Sequence, residues 1–290
     1  MPGVIAATER AFQLRRRSRW LAGFGWGGVL GVAIVVSAIV SELSPAALAD
    51  GLPRAGDYLI RLLPALKPGV LLAGTDTEGS LAYWMYRLDS WAWLLFETSQ
   101  MAALATLGGA LGAFALCFPA ARNLAPNAAV YHAFRRWLEM FRSVPDLVYA
   151  LILVWTFGIG PLAGILAIAL HTIGSLGKQF AEVVENADMR PWEGVRSSGG
   201  TWAQGVRFAI LPQVLPNFLS YVLLRFEINV RGASVIGFVG AGGIGQELYT
   251  VISFNYYQEI GAILVLIILT VSLIDLGSER LRAMAIGRDG

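Results

Sequence analysis

Residues 98–121 read TSQMAALATLGGALGAFALCFPAA and contain no Asp, Glu, Lys or Arg. About 20 consecutive apolar residues are enough for a helix that crosses a lipid bilayer. The rest of the chain agrees, because 56% of its 290 residues are hydrophobic and only 14% are charged. An ordinary soluble domain has about 25% charged residues. The sequence therefore predicts an integral membrane protein.

Residue counts exclude several kinds of site. Cys117 is the only cysteine, so neither a disulfide within the chain nor a cysteine-based metal site is predicted. The two histidines, His132 and His171, are too few and too far apart to predict a metal centre. The net charge is +2 and the basic residues flank apolar runs, so nucleic acid is not a predicted partner.

The N-terminal apolar run, residues 20–40, follows four arginines and superficially looks like a signal peptide. The apolar region of a signal peptide is only about 7–15 residues long. The run here is uncharged over a length that matches a complete membrane span. We therefore predict a retained first transmembrane helix, 20–43.

Other apolar runs predict further spans. The run 147–177 has no charged residue but is interrupted by GIGP at 158–161, so we expect a third helix that begins near Phe134 and a fourth that begins at Pro161. The predicted fold is all-α with six transmembrane helices, at 20–43, 98–121, about 134–158, about 161–180, 211–236 and about 257–276.

Basic residues are distributed unequally between the two predicted sides of the membrane. Four lie on one side, all within 42–97, and sixteen lie on the other side. Loops rich in Lys and Arg stay in the cytoplasm. The N-terminus (1–19), the loop 185–210 and the tail (286–290) are therefore predicted to be cytoplasmic.

The predicted external segment, 44–91, mixes apolar, charged and aromatic side chains, among them Trp84, Tyr86 and Trp91. Stretches of this kind commonly lie along the membrane surface. Contact with an external partner is the alternative interpretation.

Residues 240–245 read GAGGIG and match the spacing G-x-G-x-x-G. A dinucleotide site would need a strand before this motif and an acid about 20 residues after it, within one βαβ unit. Here the motif follows a predicted membrane helix. Irregular backbone at membrane depth is tolerated where it faces protein or a water-filled path, so this segment is a candidate gate or packing element.

Three charged residues, Arg225, Glu227 and Arg231, lie inside the predicted fifth helix. Charges in a span are costly and usually face the bundle interior or a cavity. Glu227 and Arg231 are four residues apart and can pair along one helix face, whereas Arg225 lies roughly on the other side and needs another partner. The set is either a structural ion pair or a polar lining for an anion, and arginine suits a phosphate-like group because it keeps its charge.

The loop 185–210 is predicted to fold as two short helices. Residues 191–198, PWEGVRSS, begin with a proline that favours a helix start, and Gly199 and Gly200 can end that helix. Thr201 can cap a second short helix over 202–209, and Pro212 opens the next span. A bent pair of helices fixed between two membrane helices predicts a rigid surface that docks on another protein.

This loop resembles the signature cytoplasmic loop of importer-type ABC transporter permeases, which reads E-A-A, three residues, G, nine residues, then I-x-L-P. Four residues match it in register: Glu193, Gly199, Leu211 and Pro212. Three residues depart from it: Gly194, Val195 and Ala209. The departures are small or apolar and leave the bent shape of the loop intact.

The resemblance extends over residues 92–285 and includes FRSVP at 141–145 in the third span. More narrowly, residues 224–233, LRFEINVRGA, together with the glycine motif are similar to phosphonate transporter permeases. The first helix, 20–43, would then stand ahead of a five-helix permease core.

The resemblance implies a transport subunit, not an enzyme, that carries phosphonate or a related oxyanion such as phosphite or phosphate. It implies partners: two ABC ATPase subunits that bind ATP and Mg, an external solute-binding protein and a second permease copy. No cofactor is expected on this chain, which has no G-x-x-x-x-G-K-[ST] motif for ATP. A secondary transporter or anion channel without an ATPase is the alternative, but it gives no reason for the bent loop.

The resemblance also implies roles for individual residues. The expected ATPase-coupling residues are Trp192, Glu193, Gly194, Arg196, Gly199, Gly200, Thr201, Trp202, Leu211 and Pro212. The expected residues of the translocation path or gate are Arg142, Ser143, Arg225, Glu227, Arg231, Gly240, Gly242, Gly243 and Gly245. No catalytic or metal-ligating residue is expected.

Overall fold

A computed structural model describes residues 2–286 of the chain, and the predicted tail beyond them, 287–290, lies outside this range. The regular structure of the described residues is entirely helical, which confirms the all-α prediction. The backbone divides into two units, residues 1–61 and residues 62–290. The α-helices are α1 (Pro2–Val40), α2 (Pro45–Leu62), α3 (Leu81–Trp84), α4 (Leu88–Cys117), α5 (Ala128–Ser143), α6 (Asp146–Phe157), α7 (Pro161–Glu185), α8 (Arg190–Ser197), α9 (Trp202–Gly205), α10 (Leu211–Ile236), α11 (Gly243–Ser253) and α12 (Tyr257–Ile286).

The first unit consists of α1 and most of α2. α1 begins well before residue 20, and its portion Ser18–Val40 has the length and hydropathy of a membrane span. A turn in which Glu42 has a φ of 53° separates the two helices. None of the residues of α2 is buried. Its position along the membrane surface stays a prediction.

The second unit contains three helices that are long and apolar enough to cross a membrane, over Leu88–Cys117, Pro161–Glu185 and Tyr257–Met284. Two bent helix pairs, α5 with α6 and α10 with α11, add two further spans if each pair crosses as one. Together with α1, the described residues thus hold four to six spans, compared with the six predicted. α4 and α7 lie against each other along much of their length, and α10 packs on both.

The third predicted helix does not run straight from Phe134 to 158. It is broken into α5 and α6, whose axes differ in direction by 83°. The break lies at Val144 and Pro145, where Val144 is extended with φ −85° and ψ 123°. Proline disfavours helical backbone in the residue before it and has no N–H to donate, so the helix ends there.

Small residues bring the helices of the second unit into close contact. At Gly109 of α4, a Cβ atom would lie 2.6 Å from the Cβ of Thr172 on α7. At Gly174 of α7, a Cβ atom would lie 2.7 Å from the carbonyl oxygen of Leu138 on α5. Membrane helices gain little from the hydrophobic effect against lipid and instead pack where small residues let backbones approach.

A buried polar contact joins three helices at the middle of this packing. Asn229 of α10 donates hydrogen bonds to Thr106 of α4 at 2.8 Å and to Thr172 of α7 at 3.0 Å. All three side chains are almost fully buried. Each amide–hydroxyl bond of this kind contributes roughly 1–2 kcal/mol or less in a membrane, but together they fix the register of the three helices.

Buried clusters lie at both ends of α4 and define the two ends of the bundle. The start of the helix belongs to a cluster with Trp91, Leu248 and Ile260. Its end belongs to a second cluster with Cys117 and Ile210. The connection between α7 and α10 therefore lies at the end of the bundle opposite the start of α12.

Replacing Gly109 with alanine is expected to lower the free energy of unfolding by about 1–3 kcal/mol, because the added methyl group overpacks the contact with Thr172. The neighbouring Gly108 has no atom within 4 Å of the equivalent position. Gly108→Ala should therefore be neutral, or stabilise by up to about 1 kcal/mol through helix propensity. Thermal unfolding of the two purified variants in the same detergent measures this difference, and equal effects would contradict the packing.

Candidate functional site

The segment between α7 and α10 forms an exposed helical hairpin, residues 186–205, which we call the connecting hairpin. α8 is its first limb, and the backbone reverses at Gly199, whose φ of +83° favours glycine. Thr201 caps α9 as predicted, with its hydroxyl accepting from the backbone N–H of Gln204 while the Gln204 side chain accepts from the N–H of Thr201.

The second limb differs from its predicted form. α9 ends at Gly205, and the chain continues through a π-helical turn, Val206–Ile210, directly into α10. A separate helix over 202–209 is therefore not present, whereas Pro212 opens the next span as predicted. Pro212 lies in the first turn of α10, where its missing N–H costs no helical hydrogen bond.

Two tight contacts hold the limbs of the connecting hairpin together. The Trp192 ring of the first limb covers Gly205, where a Cβ atom would lie 2.5 Å from the ring. Val195 covers Gly200 in the same way. On the second limb, the Trp202 indole N–H donates to the carbonyl oxygen of Leu124, 3.0 Å away. Both predicted tryptophans thus fix the hairpin in place.

The base of the connecting hairpin is braced by polar contacts. Gln213 of α10 accepts from the Asp188 N–H at 3.0 Å and donates to the Asp188 carbonyl oxygen at 3.1 Å. Asp188 also pairs with Arg190, and the hydrogen bond from that guanidinium lowers the pKa of the carboxyl group. Below the base, the rings of Phe180 and Phe218 are stacked with centroids 3.9 Å apart. The hairpin is thus tied to α10, which in turn is stacked on α7.

One face of the connecting hairpin is left for an outside contact. Glu193, Gly194 and Arg196 are exposed, and the Glu193 carboxylate has no hydrogen bond or ion pair with a described residue. Among the described residues, Arg196 reaches only the Gly200 carbonyl oxygen, 3.3 Å away. The predicted coupling residues of the hairpin thus divide into those that hold its shape and those that form this face.

The predicted charged residues of the fifth helix belong to a larger cluster. Arg231 donates to Glu227 at 2.6 Å, as the spacing predicted, and also reaches Asp275 of α12 at 3.4 Å. Arg282, near the end of α12, lies 3.5 Å from the other Glu227 oxygen. Sequence reasoning missed Asp275 and Arg282, although acids and bases near the end of an apolar helix were the available signal.

Arg225 lies apart from this cluster, as its spacing predicted. Its buried Nε has no hydrogen-bond partner among the described residues, and neither has Nδ1 of His171. Asp146 at the start of α6 is the acid that acts electrostatically on both side chains. Arg142 and Ser143 are exposed at the end of α5, and the Ser143 hydroxyl donates to the Glu139 carbonyl oxygen.

The glycine motif forms a compact turn between α10 and α11. Gly240, Gly242 and Gly243 all have positive φ values, between 69° and 87°. The Gly240 carbonyl oxygen accepts from the N–H of Gly160, which belongs to the break before α7, at 2.9 Å. The motif is flanked by helices, and no strand occurs in residues 2–286, so the dinucleotide interpretation does not apply.

Gly245, the last glycine of the motif, is required by close packing against α10. A Cβ atom at Gly245 would collide with the Ser234 carbonyl oxygen of α10. The first turn of α11 is held by Thr98 of α4, whose hydroxyl accepts from the buried Ile244 N–H at 2.9 Å and donates to Leu94 O at 2.7 Å. Beside this turn lies a cleft of about 410 Å³, which Glu97 and Glu247 help to line. A role of the turn as a gate stays a prediction.

Comparison with known proteins gives a family match over residues 101–284, to the binding-protein-dependent transport system inner membrane component. The phosphite transport system permease protein of Stutzerimonas stutzeri is 36% identical and aligns over 94% of this chain and 96% of its own. A putative cryptic phosphonate transport system permease protein of Escherichia coli K12 is 48% identical over 40% of this chain and 96% of its own.

A solved structure shares the fold of most of the chain. The chain is similar to a chain of the inward-facing MetNI methionine ABC transporter, with a TM-score of 0.59 and 23% sequence identity. The similarity covers 69% of this chain and 98% of the other.

Thr98→Val is expected to lower the free energy of unfolding by about 1–3 kcal/mol, because valine keeps the shape of threonine but leaves the buried Ile244 N–H without its acceptor. Thr156→Val is the matched control, since that hydroxyl is exposed and donates only to Ile152 one turn before it. Thermal unfolding measures the stability of both variants. A Thr98→Val protein as stable as the Thr156→Val control would show that the Thr98 hydroxyl does not hold α11.

Proposed function

The chain belongs to the binding-protein-dependent transport system inner membrane component family, and we propose that it forms the membrane path for phosphonate or a related phosphorus oxyanion such as phosphite or phosphate. As a member of this family, it is the permease subunit of an ABC importer, and transport, not covalent chemistry, is its activity. An ATPase subunit and a solute-binding protein are its partners in the complex.

The proposed substrate is supported by the names of its relatives and by the charges of the bundle. A relative aligned over almost the entire chain is a phosphite permease, and a shorter one is a putative phosphonate permease. α10 contains two arginines, and the planar guanidinium group matches phosphate-like oxygens. Arg231 is half exposed although it lies in a membrane helix, which favours a polar path beside it.

The connecting hairpin is proposed to be the contact with the ATPase. The observation that carries this proposal is its bracing: both limbs are locked to each other, to α10 and to the connection between α4 and α5, while the face with Glu193 and Arg196 is exposed. A motion of a partner bound to that face would be passed to the membrane helices instead of being absorbed by a loose loop.

The assembly is proposed to contain two copies of this chain, two ATPase subunits that bind ATP and Mg, and one external binding protein. Both termini and the connecting hairpin are proposed to lie in the cytoplasm, because the basic residues are concentrated on that side. A transporter of this type would alternate between inward-open and outward-open packings whose balance ATP shifts.

Uptake by the complete reconstituted complex tests the substrate. ATP-dependent uptake of labelled phosphite is expected, with competition by phosphonate or phosphate and none by a sulfonate of similar size. Arg231→Ala should lower this uptake about tenfold while the complex still assembles, because the path loses a fixed positive charge.

Arg136→Ala is the control for that variant, since Arg136 also pairs with an acid on its own helix but is largely exposed on α5. Equal uptake by both variants would assign Arg231 to packing alone. Absence of competition by any phosphorus oxyanion would overturn the substrate class.

Gly199→Val is expected to weaken coupling, because a β-branched residue is strained at a φ of +83° by about 1–3 kcal/mol. ATPase co-purification or ATP-driven uptake should fall about fivefold or more at unchanged membrane insertion. Gly158→Val is the control, since Gly158 has a similar φ of +86° and open space around it but lies outside the hairpin, and it should leave ATPase co-purification as in wild type. Normal uptake by Gly199→Val would count against the hairpin as the coupling element.

A further inference from the structure

An open pocket of about 700 Å³ lies at the end of the bundle opposite the connecting hairpin. One wall comes from the segment before α4 and carries Tyr83, Trp84 and Tyr86, and the other comes from the start of α12 and includes Tyr256. We call it the tyrosine pocket. Its size falls within the roughly 300–1,000 Å³ of small-molecule sites.

The walls of the tyrosine pocket are fixed by hydrogen bonds. The Trp84 indole N–H donates to the Gln258 carbonyl oxygen at 2.8 Å, and the Tyr86 hydroxyl donates to Glu259 at 2.9 Å. The Tyr86 ring also packs edge-on against the fully buried Trp91, with centroids 5.9 Å apart. Burial, followed by the bond to Glu259, raises the pKa of the Tyr86 hydroxyl, which therefore remains a donor. The pocket is thus largely preformed.

The two charged residues that line the tyrosine pocket are both acids. Asp76 and Glu259 line it, neither is in an ion pair with a described residue, and none of the described lining residues is Lys or Arg. The nearby Arg87 is already paired with Glu247 at 2.7 Å. The two lining carboxylates disfavour an oxyanion here.

Aromatic faces beside carboxylates attract a particular class of ligand. Organic cations bind over the faces of Trp and Tyr rings, and quaternary ammonium groups are recognised by cages of such rings. We propose that the tyrosine pocket binds an organic ammonium group, carried either by a lipid headgroup or by a free solute. The pocket is bordered by the residues just before α4 and by the first residues of α12, so a headgroup and a dissolved molecule can both reach it.

Choline is a suitable probe, and its neutral carbon isostere, 3,3-dimethylbutan-1-ol, is the matched ligand control. The full chain in phosphatidylglycerol nanodiscs should bind choline at least about tenfold more tightly than the isostere, because only the cation gains from the rings and carboxylates. A ligand-observed NMR titration measures both dissociation constants. Equal binding of the two ligands, or binding of neither, would overturn the proposal.

Variants locate the binding in the pocket. Tyr83→Leu and Glu259→Gln should each weaken choline binding about threefold or more, and glutamine still offers an acceptor to Tyr86. Tyr249→Leu and Asp89→Asn, which replace an exposed tyrosine and an exposed acid elsewhere, should leave it unchanged. Pocket variants that unfold at the wild-type temperature and bind choline as wild type does would also overturn the assignment.

The membrane composition separates the two sources of the ammonium group. If a lipid headgroup occupies the pocket, adding phosphatidylethanolamine to the nanodisc should weaken choline binding several-fold by competition. An unchanged affinity would identify a free solute as the ligand, with the pocket itself upheld. A loss of substrate uptake in Tyr83→Leu without any choline binding to the wild type would instead indicate a protein contact and reject the ammonium site.

Discussion

The close approach of α4 and α7 is the contact on which the rest of the bundle depends. Two apolar helices in lipid gain little from each other through the hydrophobic effect, so their separation is decided by what lies between the backbones. Gly109 has no side chain to hold the two backbones apart, and the Thr172 side chain packs directly against it. Asn229 of α10 donates hydrogen bonds to Thr172 and Thr106. If α4 and α7 moved apart by the width of a methyl group, this polar junction would lose its geometry and the third helix its register.

The ion pairs at the connecting hairpin differ from those inside the membrane helices. At the base of the connecting hairpin, ion pairs such as Asp188 with Arg190 are exposed to solvent. Each such pair contributes little to the free energy of folding but restricts the orientation of its two side chains. Within the spans, by contrast, Glu227 has two arginine neighbours, Arg231 and Arg282. A single unpaired charge in a span would be costly. The pairing explains how α10 carries Glu227 and Arg231 and still packs as a membrane helix, whereas among the described residues Arg225 has only the electrostatic influence of Asp146.

Local signals in the sequence predicted much of this architecture. The bounds of α10, the start of α7 at Pro161 and the cap at Thr201 were found as expected, because proline, glycine and capping residues act within one turn. The bend at Pro145 was missed because apolar content alone cannot tell a continuous helix from a broken one. Asn229, Asp275 and Arg282 were missed as site residues for another reason: their partners lie on helices distant in sequence, and one sequence does not show which faces meet.

The π-helical turn at Val206–Ile210 has a mechanical consequence. Because no loop interrupts it, the chain from Trp202 to Val239 forms one continuous helical rod, about 57 Å long at about 1.5 Å per residue. The rod emerges from the bundle at the connecting hairpin and ends at the glycine turn. α4 and α7 contact this rod near Asn229. If the rod pivoted at that point, a displacement of the hairpin would move the glycine turn in the opposite direction. The ratio of the two movements would equal the ratio of the distances from Asn229 to the two ends of the rod.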